Sequence, residues 1–238
     1  MSATLGIVSS SIATETWLRL PGGAVSNSIA STPDHAAFAL GNFTVQWWGT
    51  LDDTTVTDQA LISQWAPNSS RAFSLRWANI SGVKQFKVWV SLNGTSSLSA
   101  ADGAFPFTLA NDQFFGVKAA RNSTTGLVRV WTSPSIVNQV WTLRGSATPA
   151  SSTGALFNST KRLMIGGLGT AIDDITTSNH AVGYCCYAGM MNGDDAGSWV
   201  AGADFRTQDP EASSFTDGLT RVWTINGAAD MVTLLKAA

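Results

Sequence analysis

Charge is scarce. Charged residues make up 13% of this 238-residue chain, against about 25% in an ordinary globular protein. Glu15 and Glu211 are its only glutamates. A glycosidase needs two carboxylates flanking the scissile bond, and neither Glu sits beside a second acid in a strand pattern. Histidine is limited to His35 and His180, and cysteine to the neighbours Cys185 and Cys186. No standard zinc spacing can be assembled from these four. Adjacent Cα atoms sit about 3.8 Å apart, short of the usual disulfide range of about 4.4–6.8 Å. The two cysteines are therefore read as free thiols, as suits assembly in a reducing cytosol, with a strained vicinal bridge as the alternative. The net charge is −2 with scattered basic residues, so no basic stripe tracks a phosphate backbone and nucleic acid is excluded as a partner. No apolar run of about 18 residues is present to span a membrane as a helix. The N-terminus, MSATLGIVSSSIATETWLRL, has no Lys or Arg ahead of its first apolar residues and does not match a signal peptide.

Serine, threonine, glycine, alanine and aromatic residues fill the space. Ten Trp and eleven Phe against two Tyr suit a β-rich core or a contact surface. Short apolar runs recur between Gly, Asn, Ser and Pro: residues 16–20, 43–51, 60–66, 72–78, 84–92, 114–121, 126–133, 140–144, 162–167, 182–191 and 221–226. That spacing predicts an all-β sandwich or barrel. Ser81-Gly82 reads as a tight hairpin connection, and Asn122 to Gly126 as a Gly-containing loop. The closing DMVTLLKAA fits a strand or one helical turn. Nothing splits the chain, so residues 1–15 read as an N-terminal arm and 16–238 as a single domain.

Strand alternation sorts the side chains. Phe73, Leu75 and Trp77 share a face, as do Phe86, Val88 and Val90. Phe115, Val117 and Ala119 form a third such set, and Val128 and Val130 a fourth. If these make the core, the opposite faces carry Arg76, Lys87, Trp89, Lys118, Arg129 and Trp131. Trp48 joins them, because FTVQWW points Trp47 and Trp48 in opposite directions. The expected contact face is therefore basic and aromatic. Its rings have three candidate destinations: packing within the chain, a partner protein, or a glycan.

The other motifs are weak. Asp52-Asp53, Asp173-Asp174 and Asp194-Asp195 read as solvated turn residues. Calcium is their rival reading, but no loop carries the spaced D-x-D-x-D-G ligand pattern. The run GGLGTA at 166–171 has no helix after it and reads as a loop, not a phosphate cradle. No G-x-S-x-G elbow occurs. His35, after Pro33-Asp34, reads as a turn residue. Six Asn-x-Ser/Thr triplets, at Asn42, Asn68, Asn79, Asn93, Asn122 and Asn158, read as chance in a Ser/Thr-rich chain. No catalytic residue, cofactor or metal site is assigned.

Two stretches carry a resemblance: TWLRLPG followed by STPDHAAFALGNFTVQWWGTLDD, and YCCYAGMMNGDDAGSWVAGADFRTQDPEASSFTDGLTRVWTINGAAD. They resemble LamG-like, concanavalin A-like jelly-roll virion proteins of tailed actinobacterial phages. The matching residues are Asp204, Phe205, Ser214, Phe215, Thr216, Asp217, Trp223, Asn226 and Gly227. One departure is Thr220, where the family pattern has Gly before the Arg. The resemblance covers about residues 16–230. It implies a two-sheet antiparallel jelly-roll sandwich whose first and last strands lie close together. It also implies a non-enzymatic virion role, as a minor tail protein or capsid decoration protein, made in the host bacterial cytoplasm. Partners would be other virion proteins and further copies of the chain, with the N-terminal arm as an anchor or exchanged strand. A carbohydrate-binding module contacting host envelope glycans is the alternative.

Overall fold

The computed structural model describes residues 14–22, 28–66, 70–169 and 177–235. Residues 1–13 of the expected arm, Asn68, Asp173-Asp174 and the last two residues of GGLGTA lie outside the described residues. In chain order the strands are β1 (Thr14–Pro21), β2 (Ile29–Thr32), β3 (Phe43–Leu51), β4 (Asp58–Ala66), β5 (Ser70–Ile80) and β6 (Val83–Val90). They continue with β7 (Leu98–Ser99), β8 (Phe115–Arg121), β9 (Val128–Ser133), β10 (Thr142–Ala147), β11 (Leu163–Ile165) and β12 (Leu168–Gly169). The last six are β13 (Thr177–Ser178), β14 (Val182–Asn192), β15 (Ser198–Asp204), β16 (Ser214–Thr216), β17 (Val222–Asn226) and β18 (Asp230–Leu235). Helix among the described residues is confined to two single 3-10 turns, Ala36–Phe38 and Phe205–Thr207.

Two eight-stranded antiparallel sheets face each other. The first runs β10-β9-β8-β3-β14-β1-β18, with β15 also paired to β14. The second runs β16-β17-β2-β11-β4-β5-β6-β7. This is the jelly-roll sandwich that the resemblance implies, and it decides between the sandwich and the barrel that strand spacing left open. The first and last described strands do lie together, with Thr14 opposite Leu235 and Arg19 opposite Asp230. The terminal segment is thus a strand and not a helical turn.

The inward rows are the ones alternation selected. Phe73, Leu75, Trp77, Phe86, Val88, Val90, Phe115, Val117, Ala119, Val128 and Val130 all belong to one buried cluster, joined by Phe43, Val45 and Trp47 of β3. Each buried ring or branched aliphatic contributes about 1.5–3 kcal/mol of gross hydrophobic stabilisation. The Ser81-Gly82 turn holds both residues at positive φ, 51° and 83°. That conformation twists with the flanking strands β5 and β6 and closes a two-residue hairpin.

Strand β14 changes partner midway. Val182 to Cys185 pair with β1, whereas Tyr187 to Asn192 pair with β15. A bulge between Cys185 and Tyr187 marks the change and re-aims the side chains after it. Cys185 and Cys186 are free and buried. Burial raises both thiols, Cys186 up to about 12, which keeps them protonated and inert.

Candidate functional site

The seven residues expected on one basic, aromatic face occupy two. Trp48, Lys118, Arg129 and Trp131 lie on the outside of the first sheet, and Arg76, Lys87 and Trp89 on the outside of the second. Alternation correctly separated outward from inward positions. It could not tell which of two sheets a strand joins, and the sandwich sends these strands to opposite sides of the molecule.

On the first sheet, Trp48 sits over Gly116, which it opposes directly across β3 and β8. A side chain at 116 would occupy the space of the indole ring. Trp141 and Phe114 complete the cover, at ring-centre distances of 5.0 and 6.1 Å. Trp48 is fully buried as a result. Next to it Lys118 reaches over Trp131 at 4.6 Å and Trp141 at 5.0 Å, and Arg129 over Trp131 at 5.1 Å. Such cation–π contacts each contribute about 0.5–2 kcal/mol.

Asp194 and Asp195 correct the reading of adjacent acids as solvated. Asp195 pairs with Lys118, and Asp194 with Arg129 at 2.6 Å. Thr44 locks the turn between β14 and β15 by donating to the Gly193 carbonyl and accepting from the Asp195 N–H, both at 2.8 Å. The acids therefore neutralise the basic face.

The outside of the second sheet repeats the scheme. Arg76 lies 5.6 Å from Trp65 and 5.1 Å from Trp89, and Lys87 lies 5.4 Å from Trp89. Asp58 accepts from Arg76 at 2.7 Å, and Asp102 pairs with Lys87. Leu168 of β12 covers Trp65 and Ala60. Part of the GGLGTA run is therefore a strand, with Leu168 and Gly169 paired to Ser178 and Thr177. His35 caps the first 3-10 turn, its Nδ1 accepting from the Ala37 N–H at 3.0 Å.

One recess among the described residues is one the sequence did not flag. A cleft of about 310 Å³ opens on the outside of the first sheet, lined by Gln46, Ile136, Gln139, Tyr187, Trp199 and Arg206. Gly189 lies at the base of its aromatic wall, between Gln46 of β3 and Gly202 of β15. A Cβ on Gly189 would come within 2.7 Å of the Trp199 ring and 2.9 Å of the Tyr187 hydroxyl. Trp199 and Tyr187 meet edge to face at 5.6 Å. Trp199 keeps 37% of its surface exposed. Arg206 is held by Asp204, which accepts from Nε at 2.9 Å and from a terminal nitrogen at 2.7 Å. Burial and the nearby Asp204 raise the Tyr187 phenol well above its usual range, so its hydroxyl stays a donor at any physiological pH. Beside the cleft, Ile136 leads into a loop and strand on which Val137, Val140 and Leu143 stand more than half exposed.

The sequence hid this site for a local reason. SWVAGAD is rich in small residues and shows no apolar alternation, so β15 was absent from the predicted strands. The usable signal was a lone Trp in a Gly/Ala-rich stretch, a combination that leaves a ring with little to cover it.

Asp217 explains part of the closing motif. Its two oxygens accept from the backbone N–H groups of Gly202, Leu219 and Arg221 and from the Trp223 indole, at 2.9–3.1 Å. Thr220 lies in this turn at φ 65°, a left-handed conformation that favours the glycine of the family pattern.

No protein-family model matches the sequence, and no curated protein matches it. Solved structures do. A putative carbohydrate binding protein from Bacteroides ovatus is similar with a TM-score of 0.59 at 8% identity, over 94% of this chain and 60% of that one. The extracellular region of zebrafish Gpr126/Adgrg6 gives 0.57 at 12% identity, over 92% of this chain and 26% of that one. A heptameric SAP-like pentraxin from Limulus polyphemus gives 0.54 at 13% identity, over 76% and 77%. These likenesses show the fold, a lectin-like, concanavalin-like jelly-roll sandwich.

Proposed function

We propose that the protein is a non-enzymatic recognition module that binds carbohydrate in the Trp199 cleft. The carrying observation is a half-open indole, braced edge-on by Tyr187 and flanked by the amides of Gln46 and Gln139. A sugar presents an apolar C–H face to such a ring and a rim of hydroxyls to the amides. The putative carbohydrate binding protein of the same fold supports the reading. Two acids beside the cleft have other work: Asp204 holds Arg206, and Asp217 organises a turn and the Trp223 indole. Neither is poised to protonate a glycosidic oxygen. The test is retention on bacterial envelope glycans. Trp199→Ala should cut affinity at least about tenfold while leaving the melting temperature nearly unchanged. Absence of retention on every glycan offered would end the reading.

A second reading, a phage virion structural protein acting through protein contacts, is favoured by the exposed ridge of Val137, Val140 and Leu143. It draws its placement in a virion from the sequence resemblance. Exposed apolar ridges of this kind suit contact with another subunit. On this reading the purified protein sediments as a homo-oligomer or binds capsid or tail subunits, and Val137→Asp with Val140→Asp abolishes the association. Copy number per virion separates the two locations: hundreds indicate a capsid coat, a handful the tail tip.

A further inference from the structure

Building on the carbohydrate reading, we infer that the cleft selects uncharged sugars and rejects those bearing carboxylate, sulfate or phosphate. The single cation lining it among the described residues, Arg206, is committed to Asp204 through two charge-assisted hydrogen bonds. Recognition of an acidic sugar uses that same two-pronged guanidinium geometry, so a ligand carboxylate would meet a guanidinium whose charge Asp204 already balances and whose Nε side is taken.

The surroundings reinforce this. Glu15 of β1 acts electrostatically on Arg206, and Asp217 acts on Tyr187. Arg206 therefore has Asp204 as its ion-pair partner and Glu15 as a second carboxylate nearby, while Asp217 adds negative charge near Tyr187. Three further cations on this outer face are also matched: Arg19 by Asp230 at 2.7 Å, Arg129 by Asp194 at 2.6 Å, and Lys118 by Asp195. Trp199 adds to the bias, because the face of an aromatic ring is negative and repels anions. What the cleft does offer is amide chemistry. The Gln46 Oε1 already accepts from the Trp48 indole at 3.4 Å and the Gln139 Nε2 already donates to the Ile136 carbonyl at 3.3 Å, which leaves chiefly the Gln46 donor and the Gln139 acceptor, a pair that suits hydroxyls.

The experiment is calorimetric titration of the full chain with neutral hexose and N-acetylhexosamine tetrasaccharides and with their uronate or sialylated counterparts. The expected result is binding of a neutral member, with little dependence on salt, and at least about tenfold weaker binding of its acidic partner. Asp204→Asn releases Arg206 and should narrow that gap by raising affinity for the acidic partner. Glu15→Gln should narrow it less and does not disturb the Asp204 pair. Preference for the acidic sugars, or affinity that falls steeply with salt, would overturn the inference and leave the carbohydrate reading standing. Binding of no sugar of either kind would overturn the carbohydrate reading, and the inference with it.

Discussion

On one side of the sandwich Lys118 and Arg129 lie over Trp131; on the other, Arg76 and Lys87 lie over Trp89. In each case carboxylates from other parts of the fold neutralise the cations. The chemistry is the same, so the presence of Trp beside a basic residue does not mark a binding site. The difference lies in what covers the rings. On the second face Leu168 packs onto Trp65. On the first, Trp141 and Phe114 bury Trp48, but the layer ends at Trp199, which stays partly open above Gly189. Trp–cation layers here serve as the outer skin of each sheet, and the proposed recognition cleft lies where that skin stops.

The largest test of this contrast compares Trp48→Ala with Trp89→Ala in denaturant. Trp48 is fully buried and Trp89 half-buried. The first should cost about 3–5 kcal/mol and the second about 1–2 kcal/mol. Equal losses would mean that the two skins are equally sealed. Next come the counter-ions. The Asp194 side chain is 17% exposed and that of Asp102 57%. Asp194→Ala, which leaves Arg129 without its carboxylate, should cost about 1–3 kcal/mol. Asp102→Ala should cost less than about 1 kcal/mol, and only that loss should fade in high salt.

A third test addresses the open end. Gly189→Ala places a methyl against the Trp199 ring and should lower glycan affinity about tenfold, with stability followed by thermal melting as the control. The smallest effect belongs to the seam between the sheets, where Asp217 of the turn after β16 accepts from Gly202 of β15. Thr220→Gly relieves about 1–2 kcal/mol of left-handed strain and loses about 0.5–1 kcal/mol to chain entropy. A net gain of about 0.5 kcal/mol is expected, read as a small rise in the denaturation midpoint.

Much of the fold was legible locally. The stretch FTVQWWGTL is β3 residue for residue, and the Ser81-Gly82 turn falls where its composition put it. Local patterns were weaker at the acids. Asp194 lies 65 residues from Arg129, and Asp195 lies 77 from Lys118. Nothing within a short window announces such partners. The cleft draws on β3, the loop before β10, β14, β15 and the turn carrying Arg206, so no single stretch contained it.

The sequence by itself determined the two-residue alternation, the turns and the inward apolar rows, because these follow from strand geometry and burial over a few neighbouring residues. Tertiary structure alone decided that the outward Trp and basic residues belong to two faces, that distant aspartates neutralise them, and that Trp199 stays open while Trp48 is covered. Sheet membership and ring cover depend on long-range pairing, and the side-chain pattern of a strand is the same whichever sheet receives it.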